Sequence, residues 1–219
     1  MKLKPMDIAA TASASAIVFD ALRKAIIEGQ IEEGEPLRQD EIARLFNTSR
    51  IPVREALSRL EEQGLIKTQR YKGAVVAGLS TAEVEEIFDL RALLEPEIIR
   101  SAVPNMTEEI LDKAREKCEA FSASTDPMTW GDLNRDLHET LYSASNLNYF
   151  KEVAGNALDR VERLIRAQLV MSNGKQQADR EHTVILKACE KGDADLAHTL
   201  IRDHILGAKV SLLDQLRQT

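Results

Sequence analysis

Long apolar runs are missing from this 219-residue chain, so the sequence offers no candidate for a membrane-spanning helix. The N-terminal stretch MKLKPMDIAATASASA contains lysines and an Ala-Ser tract but no continuous apolar segment. We therefore expect residues 1–13 to form a disordered arm rather than a secretory signal. Cysteine is also scarce, because Cys118 and Cys189 are the only two and have no metal-ligand spacing. Two isolated cysteines are typical of core positions in a protein of the reducing cytoplasm.

Charge is distributed unevenly along the chain. The whole sequence has 29 Lys and Arg against 36 Asp and Glu, a net charge of −7. Residues 35–75 instead have eight basic and six acidic side chains, a net charge of +2, which leaves −9 for the remainder. This asymmetry indicates that one part of the chain meets a polyanion and that the acidic part does not.

The first eighty residues have the pattern of three helices followed by a β-hairpin. Apolar residues recur at helical spacing in the first two helices, Ser49 is a good N-cap for the third, and Gly64 is a stop signal. This order is the plan of a winged helix-turn-helix domain, which we assign to residues 14–78. The predicted helices are 17–28, 39–46 and 49–63, and the predicted strands are 65–69 and 74–78.

Beyond Ser80 the sequence predicts helices alone. Short turn-forming stretches such as Gly192-Asp193 separate the helical segments. We therefore assign residues 79–219 to an all-helical bundle of about six to seven helices, and we expect the fold class to be mainly α. The predicted segments are 81–102, 107–124, 127–145, 149–172, 176–191 and 194–218.

The third helix has the character of a DNA recognition helix. Arg50 and Arg54 are one turn apart on its exposed face, at the end that helix-turn-helix proteins insert into the major groove. Arginine there can bond guanine O6 and N7 or bind phosphate. Arg38, and Lys72 with Gly73 at the hairpin tip, would add backbone or minor-groove contacts. A solvated helix face is the alternative, although it does not explain the order of short helix, turn, capped helix and basic hairpin. The residues expected to face the core are Val53, Ala56, Leu57 and Leu60.

At these residues the chain resembles a known family. The pieces IIEGQIEEGEPL, LRQDEIA, SRIPVREAL and LEEQGLI are similar to the winged helix-turn-helix domain of GntR-family bacterial transcription regulators. The family commonly has threonine where this chain has Ile51, which we expect to change one contact with DNA but not the fold. The resemblance implies a cytoplasmic regulator, usually a repressor, that binds a palindromic double-stranded operator as a homodimer. By position, it implies DNA contacts from Arg38, Ser49, Arg50, Pro52, Arg54 and Gly73.

Three of the four histidines occupy positions from which they could meet. His182 and His204 are almost equally far from the turn between the last two predicted helices, so an antiparallel pair brings them level. His138 is on a neighbouring helix, one turn after Asn134. Three such imidazoles could bind a divalent transition metal such as Zn, Ni or Mn. Single histidines in helical proteins are more often surface or core residues, and we expect His198 to be one of these.

The closing helices resemble a second family element. REHTVILKACEKGDADLAHTLIRDH is similar to the end of the ligand-binding FCD domain, found in the FadR-like branch of the GntR family. The resemblance implies that Asn134 replaces an aspartate, which keeps a coordinating oxygen but removes one negative charge. It also implies a small carboxylate effector in the bundle, with Arg91 as its partner. Arg163 and Arg166 are weaker candidates for the same role. The implied metal ligands are Asn134, His138, His182 and His204.

Two other functions stay open from the sequence. A metal-dependent enzyme could also use three histidines, but the chain has no HExxH motif, no glycine-rich phosphate loop and no nucleophile elbow. Glu139 and Glu181, the acids next to histidines, should each point about 100° away from them on their helices. A dedicated metal sensor would differ only in which ligand carries the information. We predict a regulator, not an enzyme, whose operator affinity is coupled to effector and metal.

Overall fold

The computed structural model describes residues 13–171 and 174–217 of the chain. The chain divides into two compact units between Gly78 and Leu79, and each is considered by itself below. The predicted N-terminal arm, residues 1–13, lies outside the described residues except for Ser13. Within the described part, no helix is long and apolar enough to cross a membrane.

The first unit contains three helices and a two-stranded sheet. Its core is made by the inner faces of all three helices and by Val76, which are almost completely buried. The Ser13 side chain accepts a hydrogen bond from the Ala16 amide and so caps the first helix. The predicted winged helix-turn-helix is confirmed, with ends that differ from the predicted ones by up to three residues. The elements are α1 (Ala14–Ile27), α2 (Gln39–Leu45), α3 (Arg50–Glu62), β1 (Ile66–Gln69) and β2 (Gly73–Val76).

The hairpin that follows α3 is antiparallel, with Ile66 opposite Val76 and Gln69 opposite Gly73. Tyr71 and Gly73 both have positive φ angles, 67° and 76°, which lets the chain reverse between the strands. One residue of the preceding loop, Pro36, forms a bridge to Val75. The two strands and this bridge hold the basic tip of the hairpin at the edge of the unit.

The second unit consists of helices throughout its described part, as predicted. Phe88 and Phe121 are fully buried at its centre, with Leu137 and Ile201 against them. The long helices at its two ends in sequence, α4 and α9, lie side by side. The elements are α4 (Thr81–Ala102), a 3₁₀ turn (Val103–Asn105), α5 (Glu108–Ala123), α6 (Pro127–Tyr142), α7 (Asn148–Met171), α8 (Gly174–Glu190) and α9 (Ala194–Leu216).

Side-chain caps fix where several of these helices begin and end. Ser80 and Glu83 form a reciprocal capping box, and α4 begins at Thr81 as predicted. The predicted end of α6 at 145 is wrong by three residues, because the helix ends at Tyr142. There the Ser143 hydroxyl donates to the Thr140 carbonyl oxygen, which competes with the helical backbone bonds.

Candidate nucleic-acid interface and metal centre

The exposed face of α3 has the predicted composition. Val53, Ala56 and Leu60 are 0% exposed, so the inner side of the helix is fixed in the core. Arg50 and Arg54 are exposed on the opposite side, and Ile51 next to them is 60% exposed. The structure thus presents two guanidinium groups at the N-terminal end of a helix whose other face cannot move without unfolding the domain.

The two arginines of α3 differ in their surroundings. The Arg50 Nε donates to the Asp40 carboxylate at the start of α2, and both side chains are largely exposed. Arg54 has no ion pair or side-chain hydrogen bond among the described residues. Arg38, directly before α2, pairs with Glu41 at 3.1 Å across exposed surface. Exposed ion pairs of this kind contribute little to stability, so a phosphate or a base edge could displace either of them.

The remaining predicted contact residues lie at the N-terminal end of α3 and in the hairpin. Ser49 is the N-cap residue, but its hydroxyl makes no capping hydrogen bond and is therefore available to another acceptor or donor. Pro52 lies in the first turn, where its missing N–H breaks no helical bond. In the hairpin, Lys72 is exposed and Gly73 has a positive φ with open space around the position of a Cβ.

A cluster of three histidines lies inside the second unit. His138 on α6, His182 on α8 and His204 on α9 each offer a ring nitrogen within 4.8 Å of the others. The Nε2 atoms of His138 and His182 are 3.3 Å apart, and the ring centroids of His182 and His204 are 5.0 Å apart. His138 and His182 are buried, whereas His204 is partly buried. The three imidazoles therefore converge from three different helices.

The outer side of His138 is held by a chain of hydrogen bonds. The Tyr142 hydroxyl donates to Glu95 Oε2 at 2.8 Å and lies 3.2 Å from His138 Nδ1. Since the hydroxyl hydrogen goes to the carboxylate, the tyrosine oxygen accepts from Nδ1–H of His138. That tautomer leaves the Nε2 lone pair of His138 directed at the cluster. Burial and the Glu95 charge raise the pKa of Tyr142 well above its usual value, so the phenol stays protonated.

Glu181 contacts the cluster in a way the sequence analysis missed. Its Oε2 is 2.6 Å from His204 Nδ1 on α9, a contact that the expected offset of about 100° from His182 on α8 did not reveal. Burial opposes ionisation of Glu181, but hydrogen bonds with His204 and Gln177 lower its pKa overall. The carboxylate can therefore fix His204 in the tautomer that presents Nε2. His198 lies apart from the cluster, and its Nε2 is 3.3 Å from Glu97.

A small cavity of about 40 Å³ adjoins the histidines. Asn134, His138 and His204 line it together with Arg91, the predicted carboxylate partner. Arg91 is buried, and its Nε donates to Glu95 at 2.6 Å, an ion pair that the sequence analysis did not anticipate. The α7 residues in the cavity wall are Ile165, Gln168 and Leu169.

The two weaker candidates for the effector contact lie elsewhere on α7. Arg163 is half-buried and is not among the residues that line the cavity beside the histidines. Arg166 pairs with Asp132 at 2.6 Å and with Glu162 at 3.2 Å. Of the predicted arginines, Arg91 is thus the one that the structure brings to the histidine cluster.

One of the nitrogen–nitrogen distances in the cluster fits a shared metal ion, whereas the three nitrogens together lie within 4.8 Å of one another. Two nitrogens bound to one zinc at about 2.0–2.1 Å and a tetrahedral angle lie about 3.3–3.4 Å apart, and the observed separation is 3.3 Å. His182 is 1% exposed, and its Nδ1 has no hydrogen-bond partner among the described residues.

Burial also lowers the pKa of two of these imidazoles, which favours the neutral form that binds a cation. The pKa of His138 is well below its usual value because of burial and of the neighbouring histidines, and the pKa of His182 is lowered in the same way. Both rings are therefore neutral at neutral pH, and neutral imidazole is the form that binds metals. His138 and His182 can therefore each coordinate a divalent cation without first losing a positive charge.

Two known protein families match the chain. Residues 14–76 match the family of bacterial regulatory proteins described as the gntR family, and residues 86–207 match the FCD domain. The first match covers α1 to β2, where the exposed arginines lie. The second covers all three histidines of the cluster.

Individual relatives span most of the chain. An uncharacterised HTH-type transcriptional regulator of Bacillus subtilis, YdhC, is 30% identical over 86% of this chain and 84% of its own length. The gluconate operon transcriptional repressor of the same organism is 32% identical over 74% of this chain and 68% of its own length. The HTH-type transcriptional repressor RspR of Escherichia coli is 26% identical over 86% of this chain and 84% of its own length.

Solved structures give the same result for the fold. A GntR-family transcriptional regulator from Pseudomonas syringae is 31% identical, with a TM-score of 0.57 over 93% of this chain and 86% of its own. McbR/YncC of E. coli is only 20% identical but has a TM-score of 0.81 over 94% of this chain and 100% of its own. The second likeness concerns the fold alone.

Proposed function

The chain belongs to the GntR family of bacterial transcription regulators and has an FCD domain, and from this premise we propose that a divalent metal ion and a short organic acid, bound together at the histidine cluster, control its affinity for operator DNA. It is a DNA-binding transcription regulator and not an enzyme. The observation that carries the proposal is the convergence of three histidine nitrogens within 4.8 Å beside a cavity that Arg91 lines.

The proposed metal ligands are His138, His182 and His204, with the side-chain oxygen of Asn134 from the wall of the same cavity. Three imidazoles and a carboxamide suit a divalent transition metal such as Zn, Ni or Mn. None of these four ligands carries a negative charge, so a bound cation would supply a positive charge that attracts a carboxylate. The asparagine thereby makes an anionic effector more important to the site than an aspartate would.

Arg91 is the proposed second partner of the effector carboxylate. Its guanidinium group has five N–H donors, and Glu95 receives a bond from Nε. Arg91 and Glu95 are both almost completely buried, so the orientation of the guanidinium group is fixed. A cavity of about 40 Å³ favours a short carboxylate. Arg163 stays a prediction from the sequence with no place in this cavity.

On the DNA side, we propose that the protein is a cytoplasmic repressor. Two relatives are named as transcriptional repressors, and the exposed residues at the N-terminal end of α3 suit entry into the major groove. A homodimer would place two copies of α3 on the two halves of a palindromic operator. The contacts proposed are from Arg38, Ser49, Arg50, Pro52, Arg54, Lys72 and Gly73.

Separate titrations of metal and acid test this proposal. The affinity for DNA from upstream of the protein's own gene is measured by fluorescence anisotropy of the labelled DNA. When Zn²⁺ and a short carboxylate such as lactate or malonate are added together, this affinity should change about 5–150-fold, the usual range of coupling between sites. The carboxylate alone should have a much smaller effect. If Zn²⁺ alone produced the whole change, the protein would be a metal sensor, and if neither addition changed the affinity, the proposal would fail.

Replacing Glu181 by glutamine should weaken metal binding about 10–100-fold, because the carboxylate that orients His204 would be lost while the three nitrogens stay. Competition against a chromophoric chelator gives the metal affinity directly. Glu139→Gln is the matched control, since Glu139 is also adjacent in sequence to a histidine of the cluster but pairs with Arg135 instead. Equal metal affinities for the two variants would show that Glu181 does not orient the ligand.

A further inference from the structure

A second and larger cavity lies on the other side of His138, between α4, α6 and α7. Its volume is about 260 Å³, close to the lower end of the roughly 300–1,000 Å³ of pockets that bind small organic molecules. Its apolar wall comes from Ile98, Ala154 and Leu158. Gly155, Lys151 and Tyr142 also line it. The cavity adjoining the histidines has a small fraction of this volume.

A glycine within a helix borders this cavity. Gly155 lies well inside α7 (Asn148–Met171), where glycine costs about 0.5–1 kcal/mol relative to alanine. A Cβ added at Gly155 would meet no atom within 4 Å. The backbone therefore has no steric need for glycine here, and the space beside it belongs to the cavity.

Four charged residues line the wall, Glu95 and Glu139 against Arg135 and Lys151, and they differ in whether their charge is already paired. Arg135 is already neutralised by the buried carboxylates of Asp159 and Glu162, at 2.7 and 2.6 Å. Glu95 is bonded to Arg91 and Tyr142. The Lys151 ammonium group is different, because it donates to the Ser145 carbonyl oxygen at 2.7 Å and forms no ion pair among the described residues.

We propose that this cavity binds a monocarboxylate with a compact apolar body. The carboxylate pairs with Lys151, and the apolar part contacts Ile98, Ala154 and Leu158. This binding needs no metal, so the proposal goes beyond the metal-linked function above and does not depend on it. An occupant would also contact Tyr142, which is hydrogen-bonded to His138, so the site is placed to influence the histidine cluster.

Isothermal titration of the full-length protein after EDTA treatment and dialysis tests the proposal, with benzoate and hexanoate as probes. At least one probe should bind with a dissociation constant in the range of about 0.1–10 mM, which corresponds to the affinity of small fragments. Lys151→Met should weaken that binding about tenfold or more because it removes the charge but keeps the length of the side chain. Gly155→Leu should abolish it by filling the cavity, and leucine suits a helix interior, so the fold is retained.

Two control variants make the outcome specific. Lys187→Met and Ala167→Leu introduce the same side chains at exposed helical positions, and both should bind the probe as the wild-type protein does. Failure of the wild-type protein to bind either probe would overturn the proposal. So would unchanged binding by Gly155→Leu, since that would place the probe outside this cavity, for example beside Arg91. Neither result bears on the proposed metal-dependent control of DNA binding.

Discussion

Alanine at both Arg50 and Arg54 should abolish specific binding to operator DNA while leaving the domain folded. Each arginine that grips a guanine is worth about 1–3 kcal/mol, so the double variant should lose about 30-fold to 10⁴-fold in affinity at 1.4 kcal/mol per tenfold. The fold should survive because the buried face of α3, with Val53 and Leu60, is untouched. The loss of affinity in Arg54→Ala alone should reflect the lost DNA contact only, since this side chain has no ion pair among the described residues that the substitution would also break.

Electrophoretic mobility shift and anisotropy assays at about 0.15 M salt, with DNA from upstream of the protein's own gene, would measure this loss. Arg202→Ala is a suitable control because it removes the same charge from an exposed position of α9. A general charge effect would weaken specific and non-specific DNA alike in every variant. Wild-type specific affinity in the double variant would show that α3 is not the recognition helix.

Alanine at His182 should eliminate stoichiometric metal binding. The side chain is 1% exposed and its Nε2 lies 3.3 Å from that of His138, so its removal breaks the pair of nitrogens at the centre of the cluster. In the wild-type protein, metal at 100 times its dissociation constant stabilises the folded state by about 2.7 kcal/mol. For a chain of this size that corresponds to a rise in Tm of about 5–10 °C, which the variant should lack.

Metal content after dialysis against Zn²⁺ and the Tm with and without added metal are the two measurements. His198→Ala provides the control, because it removes the one histidine outside the cluster and should keep both the metal and the rise in Tm. His204→Ala removes a less buried ligand, so it tests the metal site even if His182→Ala fails to fold. If both cluster variants still bound one zinc per chain with wild-type affinity, the histidines would not be the ligands.

Much of the fold could be predicted because its signals are local. The Ser80–Glu83 capping box and the glycine at 64, which has a positive φ of 71°, mark helix ends within a few residues of sequence. The prediction that His182 and His204 lie at the same height on two antiparallel helices followed from their almost equal distances in sequence from the turn between those helices. A helical period and a turn position are enough for such predictions.

The parts that were missed depend on neighbouring helices. Glu181 was expected to point about 100° away from His182, an angle that considers the axis of its own helix only. Its side chain instead reaches His204 on α9, and the position of that helix is set by core contacts distant in sequence. The bond from Tyr142 to Glu95 joins residues 47 apart, and the space beside Gly155 has no sequence signal at all. These features are determined by packing between helices, and that packing cannot be derived from a single sequence.

The ion pair between Arg50 and Asp40 has a consequence for how the protein responds to salt. A free arginine that binds phosphate releases condensed cations from the DNA, and each such contact adds almost one unit to the slope of log affinity against log salt. Arg50 already has an anionic partner, Asp40, from which it would have to separate in the proposed complex with DNA. The gain in DNA contact is then partly offset by the lost pair, and added salt weakens both. We therefore expect Arg50 to contribute less to affinity, and less to its salt dependence, than Arg54, with Asp40 setting the difference between the two positions.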